Sequence, residues 1–230
     1  MARREDETAS AIGQILPLAL GIAISPIPII AAILMLLSPT ARGSSVGFLI
    51  GWLLGIVVAV VVFILLSSLI PEKDPNASQP ITGTIELVLG LLLLLLALRQ
   101  WRSRPRGGDE PALPAWMGAI DSMTAARALV LGFLLAAVNP KNLLLAVAAG
   151  AVISSAGLDF GAAAGVVAIY TVVAALSVGI PIVAYLVAAE QMRAPLAALR
   201  EWLVHNNATV MAVMLLIFGV QLIGKGIASF

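Results

Sequence analysis

The sequence contains no cysteine and a single histidine among its 230 residues. The absence of cysteine excludes a disulfide framework, a thiolate metal site and a dithiol redox relay. The sequence also lacks a P-loop, a dinucleotide-binding fingerprint, a His-Glu zinc motif and a nucleophile elbow. It therefore predicts that the protein is not an enzyme, and it predicts no metal, no cofactor and no nucleic-acid partner.

Charge is also scarce. Charged residues make up 11% of the chain and hydrophobic residues 61%, whereas soluble domains carry about 25% charged residues. Six apolar stretches are long enough to cross about 30 Å of hydrocarbon, which takes roughly 20 helical residues each. They cover residues 11–37, 45–70, 81–100, 126–154, 161–189 and 207–228. The composition predicts an all-α integral membrane protein with six transmembrane helices.

The placement of basic residues predicts the orientation of these spans. With the N-terminus outside, the cytoplasmic segments hold eight arginines, and the opposite side holds four basic residues. The two sets are Arg42, Arg99, Arg102, Arg104, Arg106, Arg127, Arg193 and Arg200, and Arg3, Arg4, Lys73 and Lys225. Basic residues accumulate in cytoplasmic loops. We therefore expect a multi-pass plasma-membrane protein with both termini outside.

The two halves of the chain resemble each other. A shift of 114 residues aligns them without a gap and pairs Pro26 with Pro140, Gly47 with Gly161, and Gly51 with Gly165. Three spans per half is an odd number, so the halves cross in opposite senses, as in the inverted repeats of many transporters. We predict a first repeat over 1–100, a polar connector over 101–125 and a second repeat over 126–230. The end of the connector fits an interfacial helix and a plain connection equally well.

Regularly spaced glycines indicate close helix packing. The segment "GFLIGWLLG" places Gly47, Gly51 and Gly55 four residues apart on one helix face, and Gly161 and Gly165 repeat the spacing. Small residues at this spacing let helices approach closely in lipid. Packing within the chain and a homodimer both remain open for these glycines.

Prolines interrupt the first and fourth spans near their midpoints. The first interruption is "AISPIPIIAA", where Ser25 precedes Pro26, and the second places Asn139 before Pro140. Serine and asparagine are favoured N-caps, and proline is favoured at the first helical position. Each pair therefore predicts the start of a new half-helix inside the membrane, and the inverted repeat directs both half-helix N-termini toward the midplane.

These half-helix ends predict an anion-binding site. A helix N-terminus carries unpaired N–H groups and roughly half a positive charge, and Lys141 adds a full charge at a depth where it costs on the order of 3 kcal/mol. The candidate substrate-binding residues are Ser25, Pro26, Ile27, Pro28, Asn139, Pro140, Lys141 and Asn142. The alternative is that the prolines only kink packed helices while Lys141 extends to the interface.

Further polar residues fall within or beside the spans. Glu86 is a candidate to pair with Lys141 or carry a coupling proton, and a position at the membrane boundary explains it equally well. Tyr170 and Thr171 are candidates to face the cavity. His205 is expected in an interfacial loop, without the neighbours that a metal site needs.

The segments "ISPIPIIAAILMLLSPTARGSSVGFLIGWLLG" and "VNPKNLLLAVAAGAVI" resemble the GAP family, the sulfolipid- or glycopeptidolipid-addressing proteins of actinobacteria. That family is placed in the LysE exporter superfamily, whose members share six spans and two proline-broken helices. The resemblance covers nearly the whole chain. It implies participation in moving cell-envelope glycolipids across the plasma membrane, in support of a large lipid-export protein. It also implies that the residues around Pro26 and Pro140 form the core site.

Three functions remain open at this point. The first is a transporter or flippase-like exporter of an anionic cell-envelope lipid or glycolipid. The second is a LysE-like exporter of a small charged metabolite or amino acid. The third is an accessory subunit of a larger lipid exporter, which transports nothing itself.

Overall fold

The computed structural model describes residues 2–68, 80–104, 120 and 122–230. The described residues contain eight α-helices and no strand. The helices are α1 (Ala2–Ala23), α2 (Pro26–Leu36), α3 (Ala41–Ser68), α4 (Pro80–Arg102), α5 (Ala125–Ala137), α6 (Pro140–Ser155), α7 (Phe160–Val187) and α8 (Ala189–Ala228). Most of the connector lies outside the described residues. This includes Trp116, which belongs to the possible interfacial helix at its end. The predicted all-α fold is confirmed.

Two pairs of short helices form the predicted broken spans. Helices α1 and α2 meet at an angle of 54°, and helices α5 and α6 meet at 63°. Helices α3, α4, α7 and α8 are each long and apolar enough to cross a membrane, so the described part holds up to six spans when each bent pair counts as one. The order of bent pair, long helix and long helix occurs twice along the chain, as the repeat predicted.

The described helices separate into two compact units. The first contains Met1–Leu69 and Ala112–Val204, and the second contains Ile70–Pro111 and His205–Phe230. Both bent pairs, α3 and α7 belong to the first unit, which therefore contains both breaks. The predicted boundaries at 100 and 126 follow the sequence repeat and stay a prediction.

Glycines of α3 form a close seam with α5. Successive glycines Gly47, Gly51 and Gly55 face Ala125, Leu129 and Phe133, so the two helices run parallel. A Cβ atom built on Gly51 would overlap the carbonyl of Leu129, at 2.7 Å from its carbon atom. The predicted packing role of these three glycines is confirmed, and the partner helix belongs to the same chain.

The second predicted seam is not formed in the first unit. A Cβ atom on Gly165 would meet nothing within 4 Å, and one on Gly161 would meet only the carboxylate of Asp159 at 3.5 Å. The reason is the face that α7 buries. Ala174, which is fully buried, follows Gly165 by nine residues, or about two and a half turns, so the two lie on opposite sides of the helix.

The turns before α3 and α5 lie on one face of the first unit. The Thr40 hydroxyl donates to the carbonyl of Met123 at 3.3 Å, and Gly43 approaches Ala125. Two predicted spans separate these turns along the chain, so a six-span protein must place them on the same side of the membrane. We call this side the basic face, because the helices that begin there carry Arg42 and Arg127 in their first turns.

In the second unit, α4 packs antiparallel to the last part of α8 through a glycine seam that the sequence analysis missed. A Cβ atom on Gly83 would lie 2.9 Å from the carbonyl oxygen of Gly226, and one on Gly90 would lie 2.9 Å from that of Gly219. The predicted loop around His205 is wrong, because His205 lies inside the 40-residue helix α8. Residues 196–206 contain no proline or glycine, so nothing ends the helix there.

Candidate functional site

The first break removes hydrogen-bond donors from the end of α1. In a continuous helix, Pro26 and Pro28 would occupy the positions that donate to the carbonyls of Ile22 and Ile24, and proline has no N–H. Ser25 adopts an extended conformation with φ −126° and ψ 100°, and its N–H bonds the carbonyl of Ala23 at 2.9 Å. The carbonyls at the end of α1 are therefore left for other donors.

Side chains from the second repeat supply those donors. The ammonium of Lys141 donates to the carbonyl oxygens of Gly21 at 2.7 Å and Ile24 at 3.1 Å. The hydroxyl of Ser177 donates to the carbonyl of Ala23 at 2.6 Å. Lys141 is only 3% exposed. Its charge is accommodated because the C-terminal end of a helix is the negative end of the helix dipole.

The second break is capped in a related way. Asn139 has an extended backbone and its side chain accepts the N–H of Lys141 at 3.0 Å, as an N-cap does. The amide of Asn142 donates to the carbonyl of Leu135 at 3.1 Å. Leu135 follows Gly21 by 114 residues, the repeat offset. The same carbonyl of each repeat is therefore capped by a side chain from the first turn of α6.

The half-helix N-termini offer fewer free donors than the pattern suggested. Pro26 and Pro28 leave Ile27 as the only carrier of an N–H among the first three residues of α2. Ser25 makes no side-chain cap bond, although it occupies the N-cap position. At α6, Pro140 lacks an N–H and that of Lys141 is bonded to Asn139. The charge on Lys141 is therefore the strongest anion-attracting feature among the described residues of the two breaks.

Two of the sequence-predicted residues carry a buried polar atom that lacks a partner among the described residues. These atoms are the Oδ1 atom of Asn142 and the hydroxyl of Tyr170. Asn142 is 1% exposed and Tyr170 is fully buried. A buried polar group without a partner costs about 1–3 kcal/mol, and a hydroxyl-bearing ligand or a water would remove that cost.

The remaining predicted residues have partners of their own. The hydroxyl of Thr171 donates to the carbonyl of Val167 at 2.8 Å, within α7. Glu86 lies in the second unit and accepts a hydrogen bond from the hydroxyl of Ser229 at 3.2 Å. Lys141 and Glu86 thus each have hydrogen-bond partners within their own unit.

Lys141, Asn142 and Ser177 together connect the second repeat to both breaks. The sequence pointed to Lys141 and Asn142 through their position after Pro140, and it gave no signal for Ser177, which has no counterpart motif in the first repeat.

The described residues contain no group of three or more histidine or acidic side chains that would hold a metal ion. The arrangement binds by charge and hydrogen bonding: an ammonium has three N–H groups, of which two have carbonyl acceptors here.

A sequence profile of the sulfolipid-1-addressing protein family, abbreviated Sap, matches residues 15–228. The match covers both breaks and all helices from the second half of α1 to the end of α8. Searches of curated proteins and of solved structures gave no significant match.

Proposed function

Because the chain belongs to the sulfolipid-1-addressing protein family, we propose that it is an exporter of an anionic cell-envelope lipid or glycolipid. In this proposal the anionic group of the cargo binds at the two helix breaks, and its head group crosses the membrane between the two repeats. The proposal includes no catalytic step. The family name supports a lipid cargo, and the six candidate spans support a route across a membrane.

The observation that carries the proposal is the buried ammonium of Lys141. Lys141 follows the second break, and its ammonium bonds to the helix end at the first break. Its acceptors are the backbone carbonyls of Gly21 and Ile24 rather than a carboxylate. Neutral carbonyls compensate a full charge less completely than an anion does, because an anion adds the attraction between opposite charges to the hydrogen bond. An anionic oxygen that reaches the third N–H of Lys141 would therefore compete well with these carbonyls.

The two unpartnered atoms, one in α6 next to Lys141 and one in α7, favour a cargo that also carries hydroxyl groups. The Oδ1 atom of Asn142 accepts only, and the hydroxyl of Tyr170 accepts or donates. A sugar hydroxyl satisfies either atom, whereas a simple anion has no hydrogen to donate to the Oδ1 atom of Asn142. This chemistry supports a cargo that carries hydroxyl groups, such as a glycolipid, over a simple inorganic anion.

We further propose that the basic face lies in the cytoplasm and that both termini lie outside, because basic residues favour the cytoplasmic side. A tag attached at residue 1 is then labelled by an impermeant reagent in intact cells. Labelling that requires permeabilisation would reverse the orientation.

The test is lipid movement by the purified full-length protein in liposomes, with fluorescent phosphatidylglycerol as an anionic probe and fluorescent phosphatidylcholine as the neutral comparison. We expect the wild type to move the anionic probe and Lys141→Ala to be at least tenfold slower. Lys225→Ala is the matched control, since it removes a lysine at the end of α8, and it should keep the wild-type rate. Ser177→Ala removes a hydrogen-bond donor from the same break without removing a charge. It therefore separates the stabilisation of the helix end from the binding of an anion.

Normal movement of the anionic probe by a folded Lys141→Ala protein would contradict the anion site. A wild type that moves no lipid alone and co-purifies with a large membrane exporter would replace the transport proposal with the accessory one. The lipid profile of cell envelopes from a deletion strain would then name the class of cargo.

A further inference from the structure

A second candidate site lies on the basic face of the first unit, away from the helix breaks. A cavity of about 460 Å³ is formed by the turn between α2 and α3 and by the junction of α7 with α8. Its lining includes Ser38, Thr40, Arg42, Gly43, Tyr185 and Arg193. None of the residues predicted for the helix breaks lines this cavity.

Two arginines give the cavity its charge. Arg42 lies at the start of α3 and has no ion pair among the described residues, while Arg193 lies in the first turns of α8. Arg193 is 3.7 Å from the carboxylate of Glu190, and both side chains are largely exposed. Exposed pairs of this kind contribute at most about 1 kcal/mol, so Arg193 can exchange Glu190 for a stronger anion at little cost. The planar guanidinium matches the oxygens of sulfate and phosphate groups.

The wall that carries Arg42 is already ordered by internal hydrogen bonds. The hydroxyl of Ser38 donates to the carbonyl of Met35 at 2.8 Å, and that of Thr40 donates to the carbonyl of Met123 at 3.3 Å. These bonds fix the turn before α3, so binding does not require the turn to become ordered first. The first turn of α3 adds the N–H groups and positive dipole end of a long helix, which favour an anion placed there.

The position of the cavity fixes its depth in the membrane. The cavity lies between the turn after the first bent pair and the end of the fifth predicted span, and four spans separate these two points along the chain. A six-span protein therefore places both points on the same side of the membrane, at the level of the lipid headgroups. The buried side chain of Tyr185, 7% exposed, forms the wall of the cavity contributed by α7.

We propose that this cavity binds the sulfate- or phosphate-bearing headgroup of a membrane lipid. Its volume falls within the range of about 300–1,000 Å³ that is usual for small-molecule sites, and it exceeds what a single oxyanion fills. The two arginines hold the anionic group, and the remaining space accepts the sugar or glycerol attached to it. The inference concerns binding at the membrane surface and does not require that the protein transports lipid.

The experiment measures binding to the purified full-length protein in neutral detergent. Phosphatidylglycerol in mixed micelles is the lipid probe, phosphatidylcholine is the neutral comparison, and sodium phosphate alone tests a free anion. Native mass spectrometry and thermal stabilisation provide the readouts. We expect Arg42→Gln and Arg193→Gln each to weaken phosphatidylglycerol binding about tenfold, as the loss of one charge-assisted hydrogen bond does.

Arg127→Gln is the matched control, since this exposed arginine begins α5 on the same face but does not line the cavity. Each comparison is repeated in Lys141→Ala protein, which lacks the anion site proposed at the helix breaks. The further loss of phosphatidylglycerol binding on Arg42→Gln or Arg193→Gln should be the same in that background, so failure of the export proposal leaves this result unaffected. Equal weakening by Arg127→Gln would show diffuse attraction to a basic surface and overturn the proposal. Binding of phosphate alone with the same dependence on Arg42 and Arg193 would support the anion site and identify a free anion as its ligand. The proposal fails if neither probe binds.

Discussion

The close contact between α3 and α5 leads to a prediction whose size follows from the structure. An alanine at Gly51 would place its Cβ atom 2.7 Å from the carbonyl carbon of Leu129, where ordinary contact begins at 3.4 Å. The neighbouring atom is backbone, which cannot rotate away as a side chain can. The carbonyl oxygen of Leu129 would lie closer still, so helices α3 and α5 would have to separate along the seam, which also loosens the contacts at Gly47 and Gly55.

Such overpacking typically costs about 1–3 kcal/mol, and alanine returns up to about 1 kcal/mol through its better helix propensity. Because the clash is with backbone atoms, we take the upper part of the overpacking range, about 2–3 kcal/mol, and expect Gly51→Ala to lower the free energy of unfolding by a net of about 1–2 kcal/mol. For a chain of this length, that corresponds to a midpoint roughly 2–8 °C lower. Thermal unfolding of the purified protein in detergent, followed by the fluorescence of tryptophan, measures it.

The repeat supplies the control. Gly165 corresponds to Gly51 by the 114-residue offset, it is also helical, and its Cβ would meet nothing within 4 Å. Gly165→Ala should therefore leave the midpoint unchanged or raise it slightly. Equal midpoints for the two variants would refute the assignment of the seam to Gly51 and α5.

Two further predictions concern the caps at the breaks. Ser177→Ala removes the 2.6 Å bond to the carbonyl of Ala23. Because that carbonyl keeps the N–H of Ser25, the loss should be about 0.5–1.5 kcal/mol, and an unchanged unfolding midpoint in detergent would contradict a stabilising role for the Ser177 bond. Asn142→Leu leaves the carbonyl of Leu135 without its donor, which costs about 1–3 kcal/mol, but it also removes the unpartnered Oδ1 atom, so the net loss of stability should fall below that range. An unfolding midpoint for Asn142→Leu above that of the wild type would contradict a net stabilising role for this hydrogen bond.

Both breaks were predictable from the sequence because they depend on local chemistry. A cap residue followed by proline favours the start of a new helix at that point, and the structure has bends of 54° and 63° at Pro26 and Pro140. The seam of α3 was predictable for the same reason, since glycine spacing fixes which face of a helix is smooth.

The partners across the fold were not predictable in this way. The spacing of Gly161 and Gly165 is the same as that of Gly47 and Gly51, yet only the first pair is covered, because burial on α7 is decided by larger side chains on its opposite face. The depth of Lys141 followed from its position after Pro140, while its carbonyl acceptors lie 120 and 117 residues away. Such distant contacts leave no periodic trace in the sequence.

The bracing of the first break by the second repeat has a consequence for how the chain is made. Lys141 follows Gly21 by 120 residues, and Ser177 follows Ala23 by 154. At about 5–20 residues per second of synthesis, the end of α1 leaves the ribosome roughly 6–24 s before Lys141 does. Unpaired carbonyls in hydrocarbon cost several kcal/mol each. The first repeat must therefore wait beside water or the insertion machinery until α6 and α7 arrive, and the covalent fusion of the two repeats ensures that every first break receives its donors.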